Sequence, residues 1–381
     1  MTHAGSVLAG GLYLQEFATP SMGVASAGAE AICRDASTSW HNPAGMTRLE
    51  GNEFMLAAGL AKSNIEFDSD SPGGDGGNAG GYAPLGAAFY TRSLSEDWKL
   101  GASLIAISGA LLDYDDDWVG RYECQETSIL IVTLTPSIAY RINDQWSISG
   151  GVNLMYGELE LDAAIPQSGL PDGQASLDGD DFDVGFSLSA LFEPSKQTRI
   201  GVIYWSKLEP SFSGDLSIKP VGLSIGTDLE MTFPQFVRVG IYHELDDKWA
   251  LLGTVAWEDW SELDNLFLST TTGGTADIPR NWDDTWHFAA GVRYRINERW
   301  LVEGGIAHDT SPVDSVDRTA DMPVDKQFRL SLGVEQNRSD KVTLGLIFQY
   351  TDLGDSKIKS YYTGDYEKNE VFSLAFNVNW K

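Results

Sequence analysis

The stretch Asn143-Asp144-Gln145-Trp146-Ser147-Ile148-Ser149-Gly150-Gly151-Val152-Asn153-Leu154-Met155-Tyr156 opens with a tight polar turn, puts a tryptophan directly after it and then alternates. Trp146, Ile148, Val152, Leu154 and Tyr156 fall on one face, and Ser147, Ser149, Gly151 and Asn153 on the other. Period-2 alternation is the signature of a strand with one apolar side. The same split separates Phe288, Ala290, Val292, Tyr294 and Ile296 from His287, Ala289, Gly291, Arg293 and Arg295. It returns where Val342, Leu344, Leu346, Phe348 and Tyr350 face away from Thr343, Gly345 and Gln349. One face wants hydrocarbon; the other is small or polar.

The turn itself recurs. Leu94-Ser95-Glu96-Asp97 precedes Trp98, Leu245-Asp246-Asp247-Lys248 precedes Trp249, and Asn297-Glu298-Arg299 precedes Trp300. Pro194-Ser195-Lys196-Gln197 and Asn337-Arg338-Ser339-Asp340 keep the spacing without the tryptophan. The repeat of roughly 50 residues is two long strands and one long loop. Fourteen strands are predicted, over 53–67, 82–92, 98–114, 127–142, 146–162, 181–193, 198–212, 229–245, 249–268, 284–296, 300–309, 326–337, 341–353 and 366–380. Strands of this length fit tilted crossings of a bilayer better than a soluble sandwich. Tryptophans at matching positions fit one membrane interface, which makes the short-turn side periplasmic and the long loops extracellular. The predicted fold is therefore all-β, a fourteen-stranded antiparallel transmembrane barrel in the outer membrane of a Gram-negative bacterium.

Composition agrees and excludes alternatives. With 26 basic and 55 acidic residues the formal net charge is −29, a surface that repels nucleic acid. The 40 glycines and 12 tryptophans are too apolar and too aromatic for a disordered acidic chain. No run approaches the roughly 20 apolar residues of a membrane-spanning helix, and the 101–112 stretch stops short. A mean hydropathy of −0.19 is no objection, because alternation hides a barrel from hydropathy averaging. Thr2 to Gly10 lacks a charged n-region and a long apolar core, and is compatible with the tail of a removed secretory signal. Two cysteines, Cys33 and Cys124, suit a reducing compartment or an exported chain that avoids stray disulfides, and a bridge between them is one alternative.

Residues 1–50 do not alternate, while 51–381 carry the barrel pattern. The first segment is small and polar, as in Ser21-Met22-Gly23-Val24-Ala25-Ser26-Ala27-Gly28, and reaches Asn42-Pro43-Ala44-Gly45. A lumen this wide would leak unless filled, so this segment is expected to act as a plug, or hatch. Gly11-Leu12-Tyr13-Leu14-Gln15-Glu16-Phe17, Gly23, Gly28, Asn42-Pro43-Ala44, Pro234-Gln235-Phe236, Trp257 to Trp260 and Asp309-Thr310-Ser311-Pro312-Val313 together give a specific pattern. On these residues the chain resembles the family of outer-membrane fatty-acid and hydrocarbon transporters, which includes the long-chain fatty acid transporter and the toluene uptake channels.

That resemblance implies passive transport of hydrophobic compounds, most directly long-chain fatty acids, with neutral aromatic or aliphatic hydrocarbons as the alternative. It implies a hatch gated around Asn42, Pro43 and Ala44, and a lateral opening at a kink in the third strand, placed at Gly109. Ordinary barrel glycine spacing competes with that role on equal terms for Gly101 and less strongly for Gly109. Asn42-Pro43-Ala44 is expected to brace the bent strand at Gly109. Arg293 and Arg329 face inward by alternation and are candidate head-group contacts, against which stands ion pairing with Glu303 or Glu335. Ala163 and Asp283 stand where family members that hold fatty acids are expected to carry cations. No cofactor and no metal is called for, although Asp113, Asp115, Asp116 and Asp117 in an outer loop could hold a divalent cation between lipopolysaccharide phosphates if they are not simply solvated. The partners implied are a hydrophobic small molecule, outer-membrane lipid and lipopolysaccharide, and the barrel is read as a monomer. An outer-membrane hydrolase is disfavoured, because His308-Asp309 and His243-Glu244 are adjacent strand residues that point to opposite faces.

Overall fold

Every tryptophan-flagged turn closes in the same way. The N–H groups of Leu94, Ile142, Leu245 and Ile296 donate to the carbonyls of Trp98, Trp146, Trp249 and Trp300, each at 2.9 Å. Asn143, Asp246 and Asn297 each accept two backbone N–H bonds on Oδ1, one of them from the tryptophan. A short side-chain acceptor at the first turn position thus satisfies donors the reversal would leave open, which is why Asn or Asp recurs there. Ser95 does the same for Trp98.

The computed structural model describes Tyr13 and residues 18–381. Residues 1–12 and 14–17, which contain the start of the resemblance and the possible signal tail, lie outside the described residues. The strands are β1 (Asn52–Ser69), β2 (Tyr82–Ser93), β3 (Trp98–Asp113), β4 (Glu126–Arg141), β5 (Trp146–Ile165), β6 (Gly173–Phe192), β7 (Thr198–Trp205), β8 (Ser211–Lys219), β9 (Leu223–Glu230) and β10 (Phe236–Glu244). They continue as β11 (Trp249–Glu258), β12 (Asn265–Thr270), β13 (Thr275–Pro279), β14 (Thr285–Arg295), β15 (Trp300–Asp309), β16 (Gln327–Ser339), β17 (Val342–Asp352), β18 (Ile358–Lys359) and β19 (Thr363–Trp380). All pairings within the sheet are antiparallel, and β1 closes it on β19 from Phe54↔Trp380 to Ser69↔Gly364.

These make the fourteen predicted crossings, with the seventh to tenth each broken in two. β7 and β8 form the seventh, β9 and β10 the eighth, β11 and β12 the ninth, and β13 and β14 the tenth. The predicted seventh, eighth and ninth strands run through their breaks, the predicted tenth, from 284, leaves out β13, and the predicted sixth starts at residue 181 whereas β6 begins at Gly173. Pro210 and Pro234 stand in two of the breaks, where a residue without an N–H cannot serve a central ladder. The breaks fold inward and bury Leu208, Met231, Phe233, Trp260, Leu263 and Trp282.

The outward face is greasy. Leu104, Leu134, Ile148, Val152, Ile241, Leu251, Leu330, Leu346 and Leu374 are among the many large apolar side chains left exposed. A continuous band of this kind is a membrane contact, not a soluble surface. Below it, Trp98, Trp146 and Trp249 stack beside Tyr140, Phe192 and Tyr294 of the paired strands, with ring centroids 4.4 to 4.5 Å apart. This is the aromatic girdle expected at the short-turn rim.

The N-terminal segment contains a 3-10 turn (Pro20–Val24), α1 (Ala29–Ile32), α2 (Thr38–His41) and a second 3-10 turn (Pro43–Arg48). The first turn packs on β14 to β17, α1 on β7 and β10, α2 on β2 and β3, and the second turn on β3 to β6. A segment that touches strands on every side stands across the inside of the wall.

Candidate functional site

The seat of the N-terminal segment is made of glycines and buried polar groups. A Cβ added to Gly201 would lie 1.9 Å from the Glu30 carbonyl oxygen, one on Gly240 would lie 2.3 Å from a Glu30 carboxylate oxygen, and one on Gly305 would lie 2.0 Å from the Val24 carbonyl oxygen. Only glycine lets the two backbones approach so closely. Into this seat Glu30 accepts the Thr254 hydroxyl at 2.8 Å, and Arg238 lies 3.9 Å away. Arg199 donates to the carbonyls of Ala31 and Ile32, and Thr47 meets the Ser147 hydroxyl at 2.7 Å. Arg34 pairs with Glu335, Arg48 with Glu193, and Arg141 donates to the Thr47 carbonyl.

Asn42 is the centre of the seat. Its Nδ2 donates to the carbonyls of Glu30 at 2.7 Å and Ala190 at 3.0 Å, while its Oδ1 accepts the Ala44 N–H at 3.1 Å. Ala44 N–H also donates to Ser189. Pro43 supplies the fixed φ with which the following 3-10 turn begins. These bonds tie Asn42-Pro43-Ala44 to β6, whereas the sequence expectation had the triplet bracing β3 at Gly109. The segment meets β3 lower down, where Met46 Sδ would be 2.4 Å from a Cβ on Gly101. The His41 ring bonds the Ser21 hydroxyl at 2.9 Å, and burial together with Arg238 lowers its pKa to about 3, so it is neutral here. Cys33 and Cys124 are both buried free thiols; Cys33 packs with Ala44 and Leu191, and Cys124 with Trp118 and its neighbours.

Beyond this polar seat the interior is apolar, filled by one buried cluster of side chains, and we call this region the chamber. Trp40, Trp205, Phe236, Tyr13, Trp260 and Trp282 form a continuous array, with successive centroid distances of 4.6, 5.7, 5.7, 5.1 and 5.0 Å. Ile105, Ile107, Ile129, Met155, Leu159 and Phe212 belong to the same buried cluster. These residues come from α2, β3, β4, β5, β7, β8 and β10 and from the segments around Tyr13, Trp260 and Trp282, so no single sequence window reveals them.

The candidate head-group cations lie in ion pairs. Arg293 bonds Glu303 at 2.7 Å and Glu335 at 2.8 Å, and Arg329 lies 3.0 Å from Asp309, which also bonds His287 at 2.8 Å. All are buried in the lumen wall. Ala163 lies near the end of β5, and Asp283 precedes β14, its N–H donating to Pro312. Among the described residues no cluster of His, Cys, Asp and Glu has the arrangement of a metal site.

The seam between β2 and β3, beside the chamber, is interrupted. β2 pairs with β1 from Tyr82 to Arg92 but with β3 only from Ala87 to Ser93. β3 carries a bulge between Ala106 and Ser108, which makes Ile107 the extra residue, two positions before the expected Gly109. Above the bulge, Ser108 bridges antiparallel to Tyr13 of the N-terminal segment. The residues that border the seam, Ala87, Ile105 and Ile107, belong to the chamber cluster.

A family model described as outer membrane protein transport protein (OMPP1/FadL/TodX) matches residues 1–379. The chain belongs to that family. This outer membrane transport protein is similar to the long-chain fatty acid transport protein of Escherichia coli (strain K12), 25% identical over 419 residues that cover 96% of this chain and 94% of the relative. It is also similar to outer membrane protein P1 of Haemophilus influenzae, 25% identical over 91% of this chain and 87% of the relative. Among solved structures, a Pseudomonas aeruginosa FadL homologue superposes with a TM-score of 0.90 at 18% identity, covering 97% of this chain and 99% of its own. The Ralstonia pickettii toluene transporter TbuX gives 0.73 at 17%, covering 97% and 99%. At those identities the superpositions speak for the shared barrel.

Proposed function

We propose that this outer membrane transport protein carries hydrophobic small molecules through its barrel by passive diffusion, with long-chain fatty acids as the first substrate class. The observation that carries the reading is the apolar chamber, floored by the polar seat of the N-terminal segment and bordered at one side by the β2–β3 seam. Each methylene moved from water into such a chamber gains about 0.8 kcal/mol, so capture needs shape and little chemistry. The seam offers an exit into lipid that avoids water. Residues 1–50 then act as the hatch, Asn42-Pro43-Ala44 fixes it, and the bulged region from Ile107 to Gly109 forms the lateral opening.

A second reading, uptake of neutral hydrocarbons, is favoured by two observations. The chamber array is six aromatic rings, whose faces and edges suit an aromatic guest. Arg293 and Arg329 are engaged by Glu303, Glu335 and Asp309, so a carboxylate head group would have to displace buried carboxylates. We read the protein as a transporter and not an enzyme, because His308 bonds the Gln327 carbonyl while neighbouring Asp309 turns to His287 and Arg329. Liposomes bearing the protein, supplied with labelled oleate, toluene and a sugar together, test all readings at once. Protein-dependent accumulation of oleate or toluene without the sugar is expected. Entry of the sugar at a comparable rate contradicts the reading and makes the barrel a diffusion porin.

A further inference from the structure

Pro84 stands in β2 beyond the point, Ala87, where its pairing with β3 stops. Backbone groups in an antiparallel ladder point alternately to the two neighbouring strands. Ser93 N–H donates to Gly51 and Ser63 N–H donates to the Gly81 carbonyl, so odd-numbered residues of β2 bond β1. Leu94 N–H donates to Trp98, so even-numbered residues face β3. Pro84 is even, and it is the residue of β2 that has no N–H to give. Continued residue by residue, the register that sets Ala87 against Ile105 would set Pro84 against Ser108. At that level β3 has just bulged, and Ser108 bridges Tyr13 instead. Gly86, the next even position towards the paired end, shares the exposed outer face with Pro84, and a Cβ there would meet nothing within 4 Å.

Tyr13 is held from its far end, its hydroxyl donating to the Pro234 carbonyl at 2.6 Å and its ring packing on Phe236 and Trp260. A single bridge beside an unpaired strand edge is weaker than a ladder, so this contact can be made and broken. We propose that Pro84 is a positioning residue for transport: it denies β2 the edge of β3 at the level of Ser108 and leaves that slot to Tyr13, so the seam is closed by a releasable bridge and not by a permanent ladder. The inference rests on the reading of the seam as the exit. Pro136, the other proline within a strand of this region, lies in β4 on the opposite side of β3, where the β4–β5 ladder also skips a step between Leu134 and Ser137. The two prolines obey the same rule, but Pro84 is the one level with Ser108, which bridges Tyr13.

The test uses the full chain with Pro84→Ala and Pro84→Val. Both are expected to fold, judged by heat-modifiable gel mobility, and to bind labelled oleate within twofold of wild type, while uptake into liposomes falls at least fivefold. Hydrogen exchange should show the new amide at position 84 protected by the extended ladder. Moving the proline by one full repeat, in Pro84→Ala/Gly86→Pro, should restore uptake, which a merely structural role would not predict. Wild-type uptake in Pro84→Ala, whether or not its amide is protected, overturns the proposal. A separate arm tests the underlying reading: Leu85→Cys/Ile107→Cys, an inward-facing pair across the seam, should lose uptake when oxidised and regain it when reduced. Normal uptake in the cross-linked protein removes the lateral exit itself, and the role of Pro84 with it. Loss in the cross-linked protein beside normal Pro84→Ala uptake would overturn Pro84 alone.

Discussion

Gly201→Val is expected to unseat the N-terminal segment and make the barrel leak. The added Cβ would stand 1.9 Å from the Glu30 carbonyl oxygen and 2.6 Å from Asn42 Nδ2. β7 is paired to β6 and β10 and cannot recoil, so the segment has to move. In moving it loses the Asn42 bond to the Ala190 carbonyl of β6 and strains the Thr254 bond to the Glu30 carboxylate. The wall keeps its own ladders, so heat-modifiable mobility should stay near wild type. Sugar permeation in liposome swelling is expected to rise at least tenfold while protein-dependent oleate uptake falls. Gly253→Val is the control, since its Cβ would meet its nearest neighbour at an ordinary 3.5 Å. An unchanged sugar flux in Gly201→Val would mean that the segment does not seal the lumen.

Asn42→Ala should act on the same seat more gently. The substitution removes three hydrogen bonds and leaves the Glu30 and Ala190 carbonyls without the Asn42 donor. Of these bonds only the one to Ala190 crosses to the wall, so at roughly 1 kcal/mol per bond docking of the segment should weaken by about 1 kcal/mol, with the other two losses loosening the segment itself and the barrel intact. Uptake of labelled oleate is expected to fall several-fold, and protease nicking or amide exchange within residues 20–48 should rise. Pro43→Ala, which frees φ but keeps the Asn42 bonds, should show a smaller fall. Unchanged exchange in Asn42→Ala would show that its bonds are incidental to docking.

The barrel was legible because its signals are local and repeated. A turn acceptor at Asn143, Asp246 or Asn297, followed by an interfacial tryptophan and period-2 alternation, is a complete instruction for a hairpin in a membrane. The breaks in the seventh to tenth crossings escaped, although Pro210 and Pro234 marked two of them: alternation resumes on either side and hides the missing ladder. Pro84 hides for the same reason, and the bulge at Ile107, two residues before Gly109, leaves no mark in the alternation. A proline inside an otherwise regular strand was the available signal, and the parity of its position says which neighbour it refuses.

The chamber and the seat were not legible, because they are made of contacts between distant parts of the chain. Tyr13 reaches Pro234 and Ser108, and Glu30 lies against Gly201, Gly240 and Thr254. Inward glycines could be seen to fall on the small, polar face of each strand, but nothing local said that a second backbone lies against them. Alternation correctly turned Arg293 and Arg329 inward, yet whether an inward cation meets a ligand or a carboxylate depends on the strand beside it. For Arg293 that neighbour brings Glu303, across the β14–β15 ladder.

The central claim, that an apolar solute passes through the chamber and leaves sideways into lipid, is tested most directly by where the solute first arrives. A fluorescent acyl probe is presented to the outer face of the protein in liposomes, with one quencher confined to the bilayer core and, in a parallel preparation, another trapped in the aqueous interior. Protein-dependent quenching by the bilayer quencher, rising ahead of any aqueous quenching, is the result the account predicts. Aqueous quenching that comes first would mean that solute passes straight through a displaced N-terminal segment, and would contradict it.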